Sequence, residues 1–122
     1  MYYGTEAGLT GYKDPFSRKC FPWDNINNDL LTYFRNIGEF RNKYTGKESK
    51  FKELTHSNGL YSFIRDNGKD KVFVIVNSGE DCNFDIPDEF NDDLSDVFSV
   101  NCDIKQKRIL NCGGLVILKH LL

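Results

Sequence analysis

Residues that usually carry chemistry are scarce in this sequence of 122 amino acids, which has two histidines, one tryptophan and one methionine. Neither His56 nor His120 stands near a serine or cysteine in a nucleophile elbow, so a hydrolytic triad is not expected. The four cysteines, Cys20, Cys82, Cys102 and Cys112, form no C-x-x-C and have no neighbouring histidine, which argues against zinc. They read as reduced, mostly buried thiols of an intracellular protein, with Cys102–Cys112 the best candidate for a bridge. Gly8-Leu9-Thr10-Gly11 is not followed by Gly-Lys-Ser/Thr, so it is no phosphate loop. The acidic run Pro87–Leu94 could make a single helical turn over one end; it lacks the spacing of a calcium loop and reads as a solvated acidic turn. No metal and no other cofactor is expected.

Charge of one sign is also missing. Sixteen basic residues against eighteen acidic ones leave a net charge of −2, which gives no reason to expect nucleic acid. The longest basic run, Lys105-Gln106-Lys107-Arg108, reads as the edge of a strand. No apolar stretch approaches the roughly 20 residues that span a bilayer, so no membrane partner is expected. No charged-then-apolar leader opens the chain, and it reads as cytoplasmic rather than secreted. Neither an internal repeat nor a low-complexity tract is present.

What the chain does have is unevenly distributed. Tyr2–Asp24 holds six aromatic rings, three glycines and two prolines without helical period. Long irregular segments are functional or disordered, and disordered ones are poor in aromatics, so this one reads as a working loop. One helix is predicted over Asn28–Tyr44, capped by Asn27 or Asn28 and closed by Gly46. Leu30, Leu31, Phe34, Ile37 and Tyr44 give it a wide apolar stripe that needs a partner.

From Phe51 onward short runs of β-branched and aromatic residues alternate with turn residues. The predicted strands are Phe51–Thr55, Leu60–Asp66, Val72–Asn77, Asn83–Ile86, Asp96–Asn101, Ile104–Leu110 and Leu115–His120. Asn67-Gly68 marks a hairpin, and Asn111-Cys112-Gly113-Gly114 reads as a turn. Val72–Val76 is apolar on both faces and should be central. The expectation is a mostly β fold: an antiparallel Greek-key sandwich over residues 47–122, preceded over 1–46 by a loop and one helix.

Two groups of residues were candidates for chemistry. Glu6 and Asp14 are carboxylates of the loop, but nothing fixes their separation at the 5–9 Å or so that glycoside hydrolysis requires. Asp14-Pro15-Phe16-Ser17-Arg18 is the better constellation. Pro15 limits the backbone around Asp14, and Arg18 offers a rigid fork of donors four residues on. With Tyr12, Phe16 and Trp23 beside them, they have what a sugar ring needs: polar groups for vicinal hydroxyls and an aromatic plane for the C–H face. The other reading is that Asp14 and Arg18 pair with each other and staple the loop.

Tyr2-Tyr3-Gly4-Thr5-Glu6-Ala7-Gly8-Leu9, then Asp14-Pro15-Phe16-Ser17-Arg18 and Pro22-Trp23-Asp24, resembles the end of the catalytic barrel in the α-amylase superfamily of glycoside hydrolases. The closest subgroup is neopullulanase, cyclomaltodextrinase and maltogenic amylase. The helix with Tyr33-Phe34-Arg35 is similar to the eighth barrel helix, and the strands to the C-terminal β-sandwich of those enzymes. The resemblance implies that residues 1–46 end a (β/α)8 barrel and 47–122 form the C-terminal domain. It implies α-glucan oligosaccharide as the substrate of a longer enzyme, with Asp14, Arg18 and Trp23 as substrate-binding positions. Tyr3 and Glu6 match the strand end and read as scaffold.

In that family the aspartate nucleophile, the glutamate acid/base and a second aspartate lie on the fourth, fifth and seventh barrel strands. All three would precede this chain, so no catalytic residue is expected in it and no activity from it alone. The missing barrel then becomes its principal partner, and without it either self-association through residues 1–45 or a different fold of that segment is expected. Two rival readings are a carbohydrate-binding sandwich, for which Tyr61, Phe63, Phe73 and Phe90 are available, and a stand-alone interaction domain without sugar.

Overall fold

The computed structural model describes residues 3–91 and 96–121. Tyr2 of the opening loop and Asp92, Asp93 and Leu94 of the acidic run lie outside the described residues. The chain divides into two compact units, one up to Lys43 and one from Tyr44 onward.

In the first unit the helix α1 spans Asn28–Tyr44, as its periodicity predicts. Asn27 supplies the cap, its side-chain oxygen accepting the Leu30 N–H at 3.0 Å. Asp29 in the first turn and Arg41 and Lys43 in the last match the helix dipole. No residue of α1 is buried. The expected left-handed cap at Gly46 is not formed. Beyond the helix Ser49 closes a local turn, donating from its N–H and its hydroxyl to the Gly46 carbonyl at 3.1 and 2.8 Å.

Tyr3–Gly8 contains no strand. A 3₁₀ turn covers Thr5–Ala7, set between Gly4 and Gly8 with φ of 82° and 77°. A strand needs a ladder partner, and two left-handed glycines four residues apart break extended backbone.

The second unit contains six antiparallel strands in the order β1-β2-β3-β6-β4, with β5 also on β6. They are β1 (Lys50–Ser57), β2 (Leu60–Asp66), β3 (Asp70–Asn77), β4 (Cys82–Asn83), β5 (Asp96–Asp103) and β6 (Arg108–His120). β3 lies beside β6 rather than its sequence neighbour β4, the return expected of a Greek key. The β1–β2 turn is Asn58-Gly59, both with positive φ, which is the geometry two-residue hairpins favour. The β2–β3 turn is held by Asn67, whose side-chain oxygen accepts the N–H groups of Lys69 and Asp70.

Alternation along the strands sets two faces. Ile64, Phe73 and Ile117 share one row, and Ser62, Ile75 and Leu115 the next. Phe84, Ile86, Phe90 and Ile109 complete a single core with the apolar members of those rows. Phe90 comes from a 3₁₀ turn at Asp88–Phe90, the single helical turn that the acidic run could make, and its ring is buried where a solvated turn was expected. Two lysines that face each other across β3 and β6 hold that turn. Lys71 donates to the Glu89 carboxylate and Lys119 to the Glu89 carbonyl. The hydrogen bond to Glu89, chiefly, raises the Lys71 ammonium above its ordinary pKa, against the desolvation that lowers it.

The two runs predicted as separate strands at Ile104–Leu110 and Leu115–His120 are largely one. Residues 104–107 make the β5–β6 turn, and Arg108–His120 is continuous. The supposed turn Asn111–Gly114 is a bulge. The ladder passes from Val100↔Gly114 to Cys102↔Ile109, so several residues of β6 oppose Asn101. Asn101 and Cys112 take up φ of 47° and 55° there. Gly113 is required because a Cβ would lie 2.7 Å from the Leu110 carbonyl and 2.8 Å from that of Asn101. Gly113→Ala should therefore lower stability by about 1–3 kcal/mol, as the added Cβ overpacks the bulge. Equilibrium unfolding in urea would register it as a lower midpoint.

The cysteines correct two expectations. Cys20 and Cys112 are exposed rather than buried, and Cys112 is a free thiol, so no Cys102–Cys112 bridge forms. Cys102 faces Ile109 across the ladder while Cys112 sits in the bulge.

Candidate functional site

The aromatic loop is an Ω-like lobe with a closed neck. Tyr3 donates its hydroxyl to the Lys19 carbonyl at 2.5 Å. A second tie runs from the Asn27 N–H to the Ala7 carbonyl at 3.1 Å. Between these ties the chain from Thr10 to Arg18 projects as the lobe, with its ends together and its middle in solvent. Two successive turns shape the tip: the Phe16 N–H bonds to the Lys13 carbonyl and the Arg18 N–H to the Pro15 carbonyl, each at 3.0 Å. Gly11 passes so near that a Cβ would sit 3.0 Å from the Ser17 Cα.

Asp14 and Arg18 meet at this tip. Arg18 Nε donates to Asp14 Oδ1 at 2.6 Å and Nη2 to Oδ2 at 3.3 Å, a forked pair. Both side chains remain largely in water, 62% exposed for Asp14 and 72% for Arg18. An ion pair so exposed contributes no more than about 1 kcal/mol to stability. Its larger effect is to hold both groups in a fixed orientation while leaving donors on the guanidinium and lone pairs on the carboxylate for a ligand.

Exposed aromatics flank the pair in the sequence. Tyr12, Phe16 and Trp23 are 83%, 71% and 77% exposed. Trp23 stands on a separate turn, its ring packed at 4.6 Å against Phe21. Of the three residues proposed to bind substrate, the structure brings Asp14 and Arg18 together and leaves Trp23 as a solvent-facing plane. Glu6 was weighed with Asp14 as a carboxylate pair and read as scaffold. Its Oε2 is buried and, among the described residues, is the one such side-chain atom without a hydrogen-bond partner. No sequence signal distinguishes that orientation.

The β unit offers less. Phe73 and Phe90, two of the four aromatics available for a sugar platform, are wholly buried. Tyr61 and Phe63 lie half-buried on the opposite face with Phe51. Their rings are tilted by 37° (Phe51–Phe63) and 46° (Tyr61–Phe63), so they form no common plane. The hollow beside β4, about 550 Å³, is lined by Ser57, Asn58, Leu60 and residues 80–83. Asp81 there is already engaged by the Asn111 N–H and Arg108.

No family model matches the sequence. Curated relatives do. Over 92 residues the chain is 36% identical to an amylopullulanase of Thermoanaerobacter thermohydrosulfuricus, covering 66% of this chain and 6% of that protein. Over 83 residues it is 30% identical to a cyclomaltodextrinase of a Bacillus species, covering 64% of this chain and 15% of that protein. Among solved structures, a cyclic α-maltosyl-(1→6)-maltose hydrolase from Arthrobacter globiformis superposes with a TM-score of 0.69 at 24% identity, covering 99% of this chain and 26% of that one. The chain thus spans only a small part of the proteins it matches, and its β unit has the fold of their C-terminal domain. Its homologues include amylopullulanase, cyclomaltodextrinase and maltogenic amylase, its structural neighbours are of the same α-amylase family, and the chain corresponds to one segment of them.

Proposed function

We propose that this chain serves as the cleft-completing and C-terminal portion of a longer glycoside hydrolase acting on α-glucans or cyclodextrin-like oligosaccharides. The observation that carries this reading is the forked Asp14–Arg18 pair, exposed at the tip of a lobe that also leaves Tyr12 and Phe16 open to solvent. In the complete enzyme, Asp14 accepts from and Arg18 donates to sugar hydroxyls, and Trp23 presents its ring to a sugar's C–H face. The nucleophile and acid/base come from a barrel that precedes this segment, so the chain alone has no hydrolase activity. The β unit acts as structural support. The tilt of Phe51, Tyr61 and Phe63 weighs against its being a separate sugar-binding module. The enzyme works in the cytoplasm.

The codons upstream of Met1 test the class. An in-frame barrel carrying an aspartate, a glutamate and a second aspartate on its fourth, fifth and seventh strands supports it; a gene for a complete protein of only this length refutes it. Separated from a barrel, the chain self-associates through residues 1–45, because the apolar stripe of α1 is only partly covered and none of its residues is fully buried. Light scattering across a concentration series should show a mass above 14.1 kDa. A monodisperse monomer with α1 ordered would contradict this.

A further inference from the structure

Tyr3 spans the neck of the lobe. It leaves the chain just before Gly4, where a φ of 82° and a 2.9 Å bond from the Leu9 N–H to the Gly4 carbonyl fold the backbone back. That turn has no slack. A Cβ on Gly4 would lie 2.8 Å from Leu9 Cδ2, and one on Gly8 3.3 Å from Asn27 Cβ. The turn is also fixed to α1: Asn27 donates its N–H to the Ala7 carbonyl at 3.1 Å and accepts the Leu30 and Leu31 N–H groups at 3.0 and 2.9 Å. Tyr3 thus starts from a platform anchored on the helix, and its hydroxyl ends on the Lys19 carbonyl at 2.5 Å. The bonds of the tip work differently. The Phe16–Lys13 and Arg18–Pro15 backbone bonds and the Asp14–Arg18 fork all close within the lobe, so they shape it without setting where it stands. The Tyr3 bond instead grips the residue next to Arg18, at the base of the lobe.

We propose that Tyr3 is a positioning residue for Arg18: its hydroxyl, bound to the Lys19 carbonyl, transmits the fixed direction of the α1-anchored turn to the guanidinium. Arg18 then meets a sugar hydroxyl without first having to be ordered, and the ordering cost is not drawn from binding. One neutral hydrogen bond adds little to stability, but a donor held in place at a substrate contact has a larger effect on binding than on folding. The inference goes beyond the reading of Tyr3 as scaffold, and it rests on the proposed function for the substrate.

Tyr3→Phe removes the hydroxyl and keeps the ring. In the 122-residue chain it should speed hydrogen exchange at the Phe16 and Arg18 amides about fivefold, the scale of one lost hydrogen bond, and leave the Leu31 amide of α1 unchanged. In the complete enzyme it should raise KM for an α-glucan oligosaccharide about fivefold with kcat within about twofold. Because Tyr3 acts through Arg18, the same substitution in an Arg18→Ala background should raise KM by less than about twofold. A merely structural role predicts equal effects in both backgrounds, and that result would overturn the proposal. Unchanged exchange at Phe16 and Arg18, or an unchanged KM, would overturn it as well. Should the complete protein not hydrolyse α-glucans, the functional reading fails separately, and exchange in the chain still decides whether Tyr3 holds the lobe.

Discussion

Replacing Phe90 by alanine should cost the β unit about 3–5 kcal/mol, the range for emptying a buried phenylalanine site. Phe90 is wholly buried, its ring 5.8 Å from that of Phe73, and it anchors the 3₁₀ turn that covers the core. Domains of this size are stable by only about 5–15 kcal/mol, so the variant should be partly unfolded at 37 °C. The site cannot collapse easily, because Phe73, Ile75 and Ile117 belong to a ladder whose register is fixed on both sides. Glu89→Gln is the informative control. It weakens the Lys71 contact, which is partly exposed, and should cost less than about 1 kcal/mol. A chemical unfolding curve for each variant separates the two contributions. If Phe90→Ala shifts stability by less than 1 kcal/mol, on the order of a surface change, the turn is not part of the core.

Arg18→Ala in the complete enzyme should lower kcat/KM for an α-glucan oligosaccharide by about 10- to 100-fold, the equivalent of losing one charged hydrogen-bond donor to substrate. Arg18→Lys should recover little of it, since the ammonium cannot reproduce the fork that holds Asp14 and a hydroxyl together. The stability of the same variants separates the two readings of the pair. If Asp14 and Arg18 only staple the loop, activity and folding should change together and slightly. If they contact sugar, activity falls while the unfolding midpoint moves by less than about 1 kcal/mol.

Much of the fold was legible because local signals and tertiary context agree. The α1 stripe, its Asn27 cap and the Asn58-Gly59 and Asn67-Gly68 turns are local chemistry that the packing leaves intact. The β3 strand was recognisable as central because residues facing both ways are apolar, and it is paired on both edges. Where reading failed, a distant contact decided the outcome. Gly113 and Gly114 resemble a turn, yet they lie within β6 because the Asn101 carbonyl needs the space that a side chain would take. Gly46 does not take the left-handed conformation expected of it, and sits instead in a turn that Ser49 closes. Phe90 sits in an acidic stretch, and only the paired lysines of β3 and β6 show why that stretch folds inward.

The candidate site was legible in part. Spacing suggested that Asp14 and Arg18 could meet, and they do; it left open whether they meet each other or a ligand. The exposed forked geometry is compatible with both, because a pair can orient itself and still offer unused donors and acceptors. The neck hydrogen bonds and the buried oxygen of Glu6 had no signature in one sequence, since each depends on where the returning chain runs.

The most direct measurement compares glucan hydrolysis by the chain with that by the longer enzyme containing it, using pullulan and a cyclodextrin at matched molar concentration. The account predicts release of reducing sugar by the longer enzyme, its reduction on Arg18→Ala, and none from the chain. Hydrolysis by the chain alone, or a longer protein inert on both glucans, would contradict it.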